Sequence, residues 1–139
     1  MGMVADIEDS SGEMILTNLG ALNIQDSSGE IEANSIQGPV WIDDSSGEID
    51  LWDIMGDVEI EDGSGEIGIS GVGGMVTIHD GSGEIDVEDV EGDVRVVRDG
   101  SGSIKVDGVG GDFIVERDGS GGIDFQNVRG TVDVPRRRG

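Results

Sequence analysis

The sequence lacks cysteine, and its 139 residues include only 2 prolines and 2 residues each of Trp and Phe. The absence of cysteine excludes disulfides, thiolate zinc sites and a cysteine nucleophile. No segment approaches the roughly 20 apolar residues of a membrane-spanning helix. The first residues do not resemble a signal peptide and favour an internal piece of a longer protein. We therefore expect no membrane insertion and no targeting signal in this chain.

Basic side chains are scarce and unevenly placed. The chain has 31 Asp and Glu against 8 Lys and Arg, a formal net charge of -23. Residues 1–94 contain 24 acidic and no basic side chains, whereas residues 95–139 contain 7 acidic and 8 basic ones, so the two parts carry -24 and +1. Such a surface repels nucleic acid and anionic membranes and attracts divalent cations or basic partners. We expect no nucleic-acid partner.

A repeat extends over nearly the whole chain. Its turn motif, Asp-(Ser/Gly)-Ser-Gly, recurs at intervals of 17, 18, 18, 18, 19 and 19 residues. High net charge and 26 glycines are also typical of disordered chains, but here the apolar residues recur at fixed positions. The motif begins at Asp9, Asp26, Asp44, Asp62, Asp80, Asp99 and Asp118.

The apolar residues within each repeat predict short strands. In the third repeat they are Ile49, Leu51, Ile54, Val58 and Ile60. Pairs two residues apart place their side chains on one face of a strand, and β-branched residues favour a pleated, half-buried surface. Frequent glycine and period two exclude a helix. A sandwich of hairpins shares some of these features but has no reason to repeat one 18-residue pattern.

We therefore predict an all-β fold, a single-stranded parallel β-helix or solenoid of about seven coils of 17–19 residues, forming one domain over residues 1–139. The strict hexads of the left-handed hexapeptide helix are missing, so the pattern leaves the handedness open. Glycines that end the turn motif are expected to have positive φ, and a second glycine set to turn another corner. The first set is Gly47, Gly65, Gly83, Gly102 and Gly121, and the second is Gly38, Gly56, Gly74, Gly92, Gly111 and Gly130.

Three segments carry a family resemblance: GDVRVVRDGSG (residues 92–102), GDFIVERDGSGGID (residues 111–124) and the ending VRGTVDVPRRR (residues 128–138). They are similar to the repeats of the adhesin-type domain of unknown function found in bacterial envelope proteins. The resemblance implies a single-stranded β-helix that is exported to the cell envelope or beyond. The family offers no catalytic motif to carry over, and a fold does not fix an activity.

Stacked coils predict columns, meaning sets of residues at the same position in successive coils. The turn aspartates and the glutamates Glu13, Glu30, Glu48, Glu66 and Glu84 are expected to form two acidic columns. Ca²⁺, which accepts six to eight oxygen ligands, could bridge the coils. The alternative is that each aspartate accepts hydrogen bonds from its own Ser-Gly turn. The candidate calcium ligands are Asp44, Glu48, Asp62, Glu66, Asp80 and Glu84.

Catalysis is not expected, because acidic pairs recur on most coils and His79 is the only histidine. We predict a non-enzymatic structural or adhesive module of the bacterial envelope. One alternative is a filament- or scaffold-forming β-helix that assembles end to end, as bactofilins do, and another is a calcium-binding solenoid. The predicted partners are the chain itself, through the solenoid ends, or another protein or surface ligand. Candidate contact residues are Val4, Ile7, Trp41, Trp52, Arg136, Arg137 and Arg138.

Overall fold

The structure is a computed structural model that describes residues 4–8, 12–27, 29–44, 47–62, 65–80, 83–99, 102–116 and 122–133. Throughout this part of the chain the regular structure is β-strand, and consecutive strands alternate between two parallel sheets. The predicted β-solenoid is therefore confirmed. The described residues include no helix that is long and apolar enough to cross a membrane.

The two sheets divide the strands by their position in the coil. The first sheet contains, in order, β1 (Val4–Glu8), β3 (Ala21–Ser27), β5 (Val40–Asp44), β7 (Val58–Asp62), β9 (Val76–Asp80), β11 (Val94–Asp99), β13 (Phe113–Val115) and β15 (Val132–Asp133). The second contains β2 (Met14–Leu19), β4 (Ile31–Ile36), β6 (Ile49–Ile54), β8 (Ile67–Val72), β10 (Ile85–Val90), β12 (Ile104–Val109) and β14 (Ile123–Val128).

The register of the second sheet follows the repeat seen in the sequence. The first residue of each strand pairs with the first residue of the next strand in the sheet, and the residue numbers of these pairs differ by 17, 18, 18, 18, 19 and 19. These differences equal the spacings of the turn motif, so each coil lies one strand spacing, ~4.8 Å, from the next. The paired residues are Met14, Ile31, Ile49, Ile67, Ile85, Ile104 and Ile123.

The interior is a continuous stack of Ile, Val and Leu side chains between the two sheets. All the apolar positions predicted for the third repeat are buried, and so are the equivalent residues of the fifth, Ile85, Val87, Val90, Val94 and Val96. The seventh repeat differs, because Phe125 lies in the last strand of its sheet and is 42% exposed. Its ring still packs on Phe113, with ring centroids 5.8 Å apart and planes tilted by 57°. Phe125 is therefore only partly covered at this end of the solenoid.

The turn corner, where the Asp-(Ser/Gly)-Ser-Gly motif joins the first sheet to the second, requires glycine for two reasons. The predicted positive φ is confirmed at Gly47, Gly65, Gly83 and Gly102, while Gly121 lies outside the described residues. A Cβ on Gly65 would also lie 1.9 Å from the carbonyl oxygen of Gly47, one coil earlier. Neighbouring coils therefore approach too closely here for any side chain.

The second glycine set turns a different corner, as predicted, on the path from the second sheet back to the first. Here close approach alone selects glycine: a Cβ on Gly56 would lie 2.5 Å from the carbonyl carbon of Gly38. Gly56 and Gly92 do not have φ in the left-handed region, so the backbone conformation does not require glycine there.

Candidate functional site

The predicted glutamate column lies beside the turn corner, where each glutamate precedes a strand of the second sheet. The Ile49 N–H donates to the Glu66 carbonyl at 2.9 Å, and the Ile31 N–H donates to the Glu48 carbonyl at 2.8 Å. This pairing stacks the side chains of successive coils. Side-chain hydrogen bonds with Glu30 and Glu66, together with their like charges, raise the pKa of Glu48 above its usual range.

The predicted calcium column is only partly visible. Of its six residues, Glu48, Glu66 and Glu84 lie in the glutamate column, and the carboxylates of the other three lie outside the described residues. The first and last turn aspartates, Asp9 and Asp118, also lie outside the described residues. Within the described part of the chain, no group of three or more acidic or histidine side chains is arranged to hold a metal ion. Calcium binding and the aspartate-turn alternative therefore both stay predictions. The three undescribed carboxylates are those of Asp44, Asp62 and Asp80.

The two tryptophans lie on different faces of the rod. Trp41 is in β5 of the first sheet and is half-buried, whereas Trp52 is in β6 of the second sheet and is 38% exposed. In their columns, Trp41 neighbours Glu59 and Trp52 neighbours Ser70. The structure thus does not bring the tryptophans together into one contact patch.

The candidate contact residues at the ends are described in part. Val4 in β1 is 69% exposed, and Ile7 in the same strand packs against the core. Arg136, Arg137 and Arg138 lie outside the described residues. The only histidine of the sequence, His79, is half-buried in β9 and neighbours Glu61 in its column.

A third corner was not foreseen from the sequence. The fifth residue of each strand in the second sheet has a left-handed backbone, with φ between 55° and 58° where the residue is not glycine. This turn places two exposed residues in succession and then points the sixth residue, such as Ile54, into the core. The left-handed corner consists of Asn18, Ser35, Asp53, Gly71, Asp89, Gly108 and Asn127.

The backbone conformation explains why these residue types share one column. Asparagine, aspartate and glycine tolerate the left-handed region better than other residues. A β-branched side chain there would be a strained outlier. Because four residue types occupy this column, no single residue type marks it in the sequence. The signal that could have found it is the run of Asn, Ser, Asp or Gly immediately before the third apolar residue of each repeat.

The left-handed corner lines a groove of about 1240 Å³ that follows the long axis of the rod. We call this the corner groove. Its other wall consists of the residues that follow the buried sixth position of each strand. Backbone hydrogen bonds of 2.7–2.9 Å hold these residues in register with the preceding coil. They are Gln37, Met55, Gly73, Glu91, Gly110 and Arg129.

Three aspartates beyond the groove join successive coils. The Asp93 carboxylate accepts the Asp112 N–H at 2.8 Å, and the Asp112 carboxylate accepts the Thr131 N–H at 2.9 Å. Asp57 accepts the Met75 N–H in the same way at 3.0 Å. Each aspartate follows a glycine of the second set, so these carboxylates have a structural role that the sequence analysis missed.

Basic side chains neutralise little of the described acidic surface. The ion pair that the described residues contain joins Arg95 in β11 to Glu116, the residue that follows β13 in the next coil. Since residues 1–94 contain no Lys or Arg, the acidic residues of the corner groove there have no basic neighbour in their own part of the chain. This surface therefore favours a basic partner.

Comparison of the chain with protein-family models, with curated proteins and with solved structures finds no match in any of the three. The resemblance to the adhesin-type envelope domain therefore stays a prediction.

Proposed function

We propose that the chain is a non-enzymatic structural or adhesive module of the bacterial cell envelope. The observation that carries this proposal is the arrangement of exposed side chains in columns that recur from coil to coil along both sheets. Such a surface offers many contacts at once, spaced at regular steps of ~4.8 Å. Several weak contacts made together give an avidity well above that of each one.

The chemistry of the exposed residues supports a binding role over a catalytic one. General acid–base catalysis needs a group whose surroundings set it apart from its copies. In the glutamate column, Glu48 has like neighbours on both sides, and the same stacking repeats along the column. The resemblance to the adhesin-type domain supports an envelope location.

The proposal is tested with beads that carry the purified chain. We expect adhesion to isolated bacterial envelopes to rise steeply with the density of chain on the bead, because avidity depends on simultaneous contacts. The matched control has alanine at Gly47, Gly65 and Gly83, which preserves every charged side chain but not the stacked coils. Equal adhesion by this unfolded control would contradict the proposal. Recovery of the native protein in the cytosolic fraction of its host would contradict the envelope location.

End-to-end assembly is a second candidate, favoured by the terminal strands of the second sheet. In β2 the inward residues Met14, Leu16 and Leu19 are only partly buried, whereas the equivalent residues of the middle strands are buried. In β14 the inward residue Phe125 is 42% exposed. A second copy whose β2 pairs with β14 in parallel would bury both sets, and a contact of this kind extends into filaments.

Size-exclusion chromatography with light scattering tests this assembly across protein concentration and ionic strength. We expect the mean mass to grow with concentration, and the variant Leu16→Lys to stay monomeric because it places a charge in the contact. Leu16 is partly buried, so circular dichroism must show that the variant keeps its β-structure. A wild-type monomer under every condition would end this candidate.

A further inference from the structure

The corner groove combines negative charge with exposed apolar side chains at its centre. Asp53, Asp89 and Glu91 line it within two coil steps, whereas the one Lys or Arg among its lining residues is Arg129, in the last described coil. Close to this acidic part, Met55 is 73% exposed. The groove thus has the two properties that a basic, partly apolar ligand needs.

The exposed apolar residues near the centre belong to two successive coils. Met55 and Met75 are 73% and 41% exposed, and Trp52 is 38% exposed. Met55 lines the groove, and Trp52 and Met75 lie within a few residues of its lining. Among the described residues, the other large exposed apolar side chains are those of Val4, Ile15 and Phe125 in the terminal strands. Methionine side chains adapt to ligands of varied shape, and a grouped set of exposed apolar residues marks a contact surface.

The length and direction of the groove select an extended chain. The lining of the groove runs from Asn18 to Arg129 and includes a residue from each of the seven strands of the second sheet. Six steps of ~4.8 Å give a length of roughly 29 Å. An extended peptide advances ~3.3 Å per residue, so about nine residues would fill the groove from end to end. A compact ligand would leave most of it empty.

We propose that the corner groove binds an extended segment of a partner protein, about nine residues long, that contains both Lys or Arg and apolar side chains. The basic side chains contact the carboxylates of Asp53, Asp89 and Glu91, and the apolar ones pack on Met55. The proposal deepens the adhesive role and rests on it only for the biological setting of the contact. The groove binds the peptide in solution whether or not the rod lies in the envelope.

The probe is a fluorescein-labelled nine-residue peptide, KLKTKLKTK, whose binding to the whole chain is followed by fluorescence anisotropy. We expect saturable binding that weakens as salt is added. The same peptide with Glu in place of Lys is expected not to bind. Absence of saturable binding by the basic peptide would overturn the proposal.

The chain itself supplies conservative variants of the groove. Asp53→Asn and Asp89→Asn together remove two charges, and asparagine already occupies this column at Asn18 and Asn127. Met55→Gln removes the apolar contact, and Gln37 occupies the same position two strands earlier in the chain. We expect the double variant to weaken binding at least tenfold. Met55→Gln should weaken binding of KLKTKLKTK but leave unchanged that of KGKTKGKTK, which lacks Leu.

The matched control removes two charges from the other face. Glu59→Gln and Glu61→Gln lie in β7 of the first sheet, away from the groove. We expect this control to stay within twofold of wild type. Equal weakening by both double variants would show attraction by net charge alone and overturn the groove as the site. Circular dichroism of each variant verifies that the fold is intact.

A cationic glycan is the competing type of ligand. A labelled chitosan hexamer is titrated in parallel, and tighter binding of the hexamer that is lost in Asp53→Asn/Asp89→Asn would overturn the peptide assignment. Peptide binding without envelope adhesion of the beads would refute the adhesive role but keep the groove. Envelope adhesion without peptide binding would refute the groove as a peptide site but keep the adhesive role.

Discussion

The turn corner and the left-handed corner both have residues with positive φ, but they differ in what surrounds those residues. At the turn corner, a Cβ on Gly65 would overlap the backbone of Gly47 in the preceding coil. At the left-handed corner, a Cβ on Gly71 would lie 3.5 Å from the nearest atom, the Asp53 nitrogen, which is an ordinary contact. Glycine is therefore required at the first corner and is one of several solutions at the second.

This difference explains which positions of a coil can be recognised from the sequence repeat. Where both the backbone conformation and the neighbouring coil restrict a position, one residue type recurs and the sequence shows it. Where the conformation alone restricts it, Asn, Ser, Asp and Gly replace one another, and the side chains of Asp53 and Asp89 line the groove. The corner that is least regular in sequence is thus the one that lines the groove.

The largest expected effect comes from Gly65→Ala. The added Cβ meets the Gly47 carbonyl at 1.9 Å, and alanine is strained at φ +116°. We expect the free energy of unfolding to fall by more than about 4 kcal/mol, measured by urea denaturation followed by circular dichroism. The control is Gly71→Asn at the left-handed corner, for which we expect a change of less than about 1 kcal/mol. Similar losses in the two variants would remove the distinction between the corners.

A second prediction breaks the left-handed corner itself. Asp53 has φ +56°, which a β-branched residue adopts only with strain. We expect Asp53→Val to lower the free energy of unfolding by about 1–3 kcal/mol, and Asp53→Asn to leave it nearly unchanged. The measurement is again urea denaturation. A valine variant as stable as wild type would show that the corner does not depend on the left-handed conformation.

A third prediction concerns the aspartates that join the coils. Asp93→Ala removes the acceptor of the Asp112 N–H, so we expect a loss of about 1–3 kcal/mol. Hydrogen exchange at the Asp112 amide should accelerate, which a loss of surface charge alone would not cause. The control is Asp86→Ala, an exposed β10 carboxylate that accepts no hydrogen bond within the described residues. An unchanged exchange rate at Asp112 would contradict the prediction.

The smallest expected effect is that of Glu48→Gln. Because hydrogen bonds and like charges from Glu30 and Glu66 raise the pKa of Glu48 above its ordinary 4.5, the folded chain binds this proton more tightly than the unfolded chain. The resulting stability is complete below the ordinary pKa and is lost as pH rises through the raised folded value. The variant should therefore have a slightly higher Tm than wild type at neutral pH, with the difference shrinking at acidic pH.

Calorimetry at several pH values measures this difference. The matched control is Glu59→Gln, whose column neighbours are Trp41 and Thr77 rather than carboxylates. A rise in Tm of the same size and pH dependence in both variants would show that only total charge matters.

Much of the fold could be predicted from the sequence because stacking imposes the same restriction on every coil. The inward positions, such as Ile49 and Leu51, must be apolar, and the turn-corner glycines have no substitute. The Gly-Asp pairs at residues 92–93 and 111–112 were visible, but Met75 occupies the same position in another coil, so their hydrogen bonds could not be read from the pattern. The corner groove was missed because no single residue type identifies it.

The hydrogen bonds between coils all run along the rod, which determines how the molecule responds to tension. A pull on its two ends loads these bonds one after another, so coils peel off singly and the sheets do not slide. Each released coil of about 18 residues adds roughly 60 Å of extended chain. The rod would thus yield by regular increments under load, with the lengthening recorded as evenly spaced steps in a single-molecule force trace.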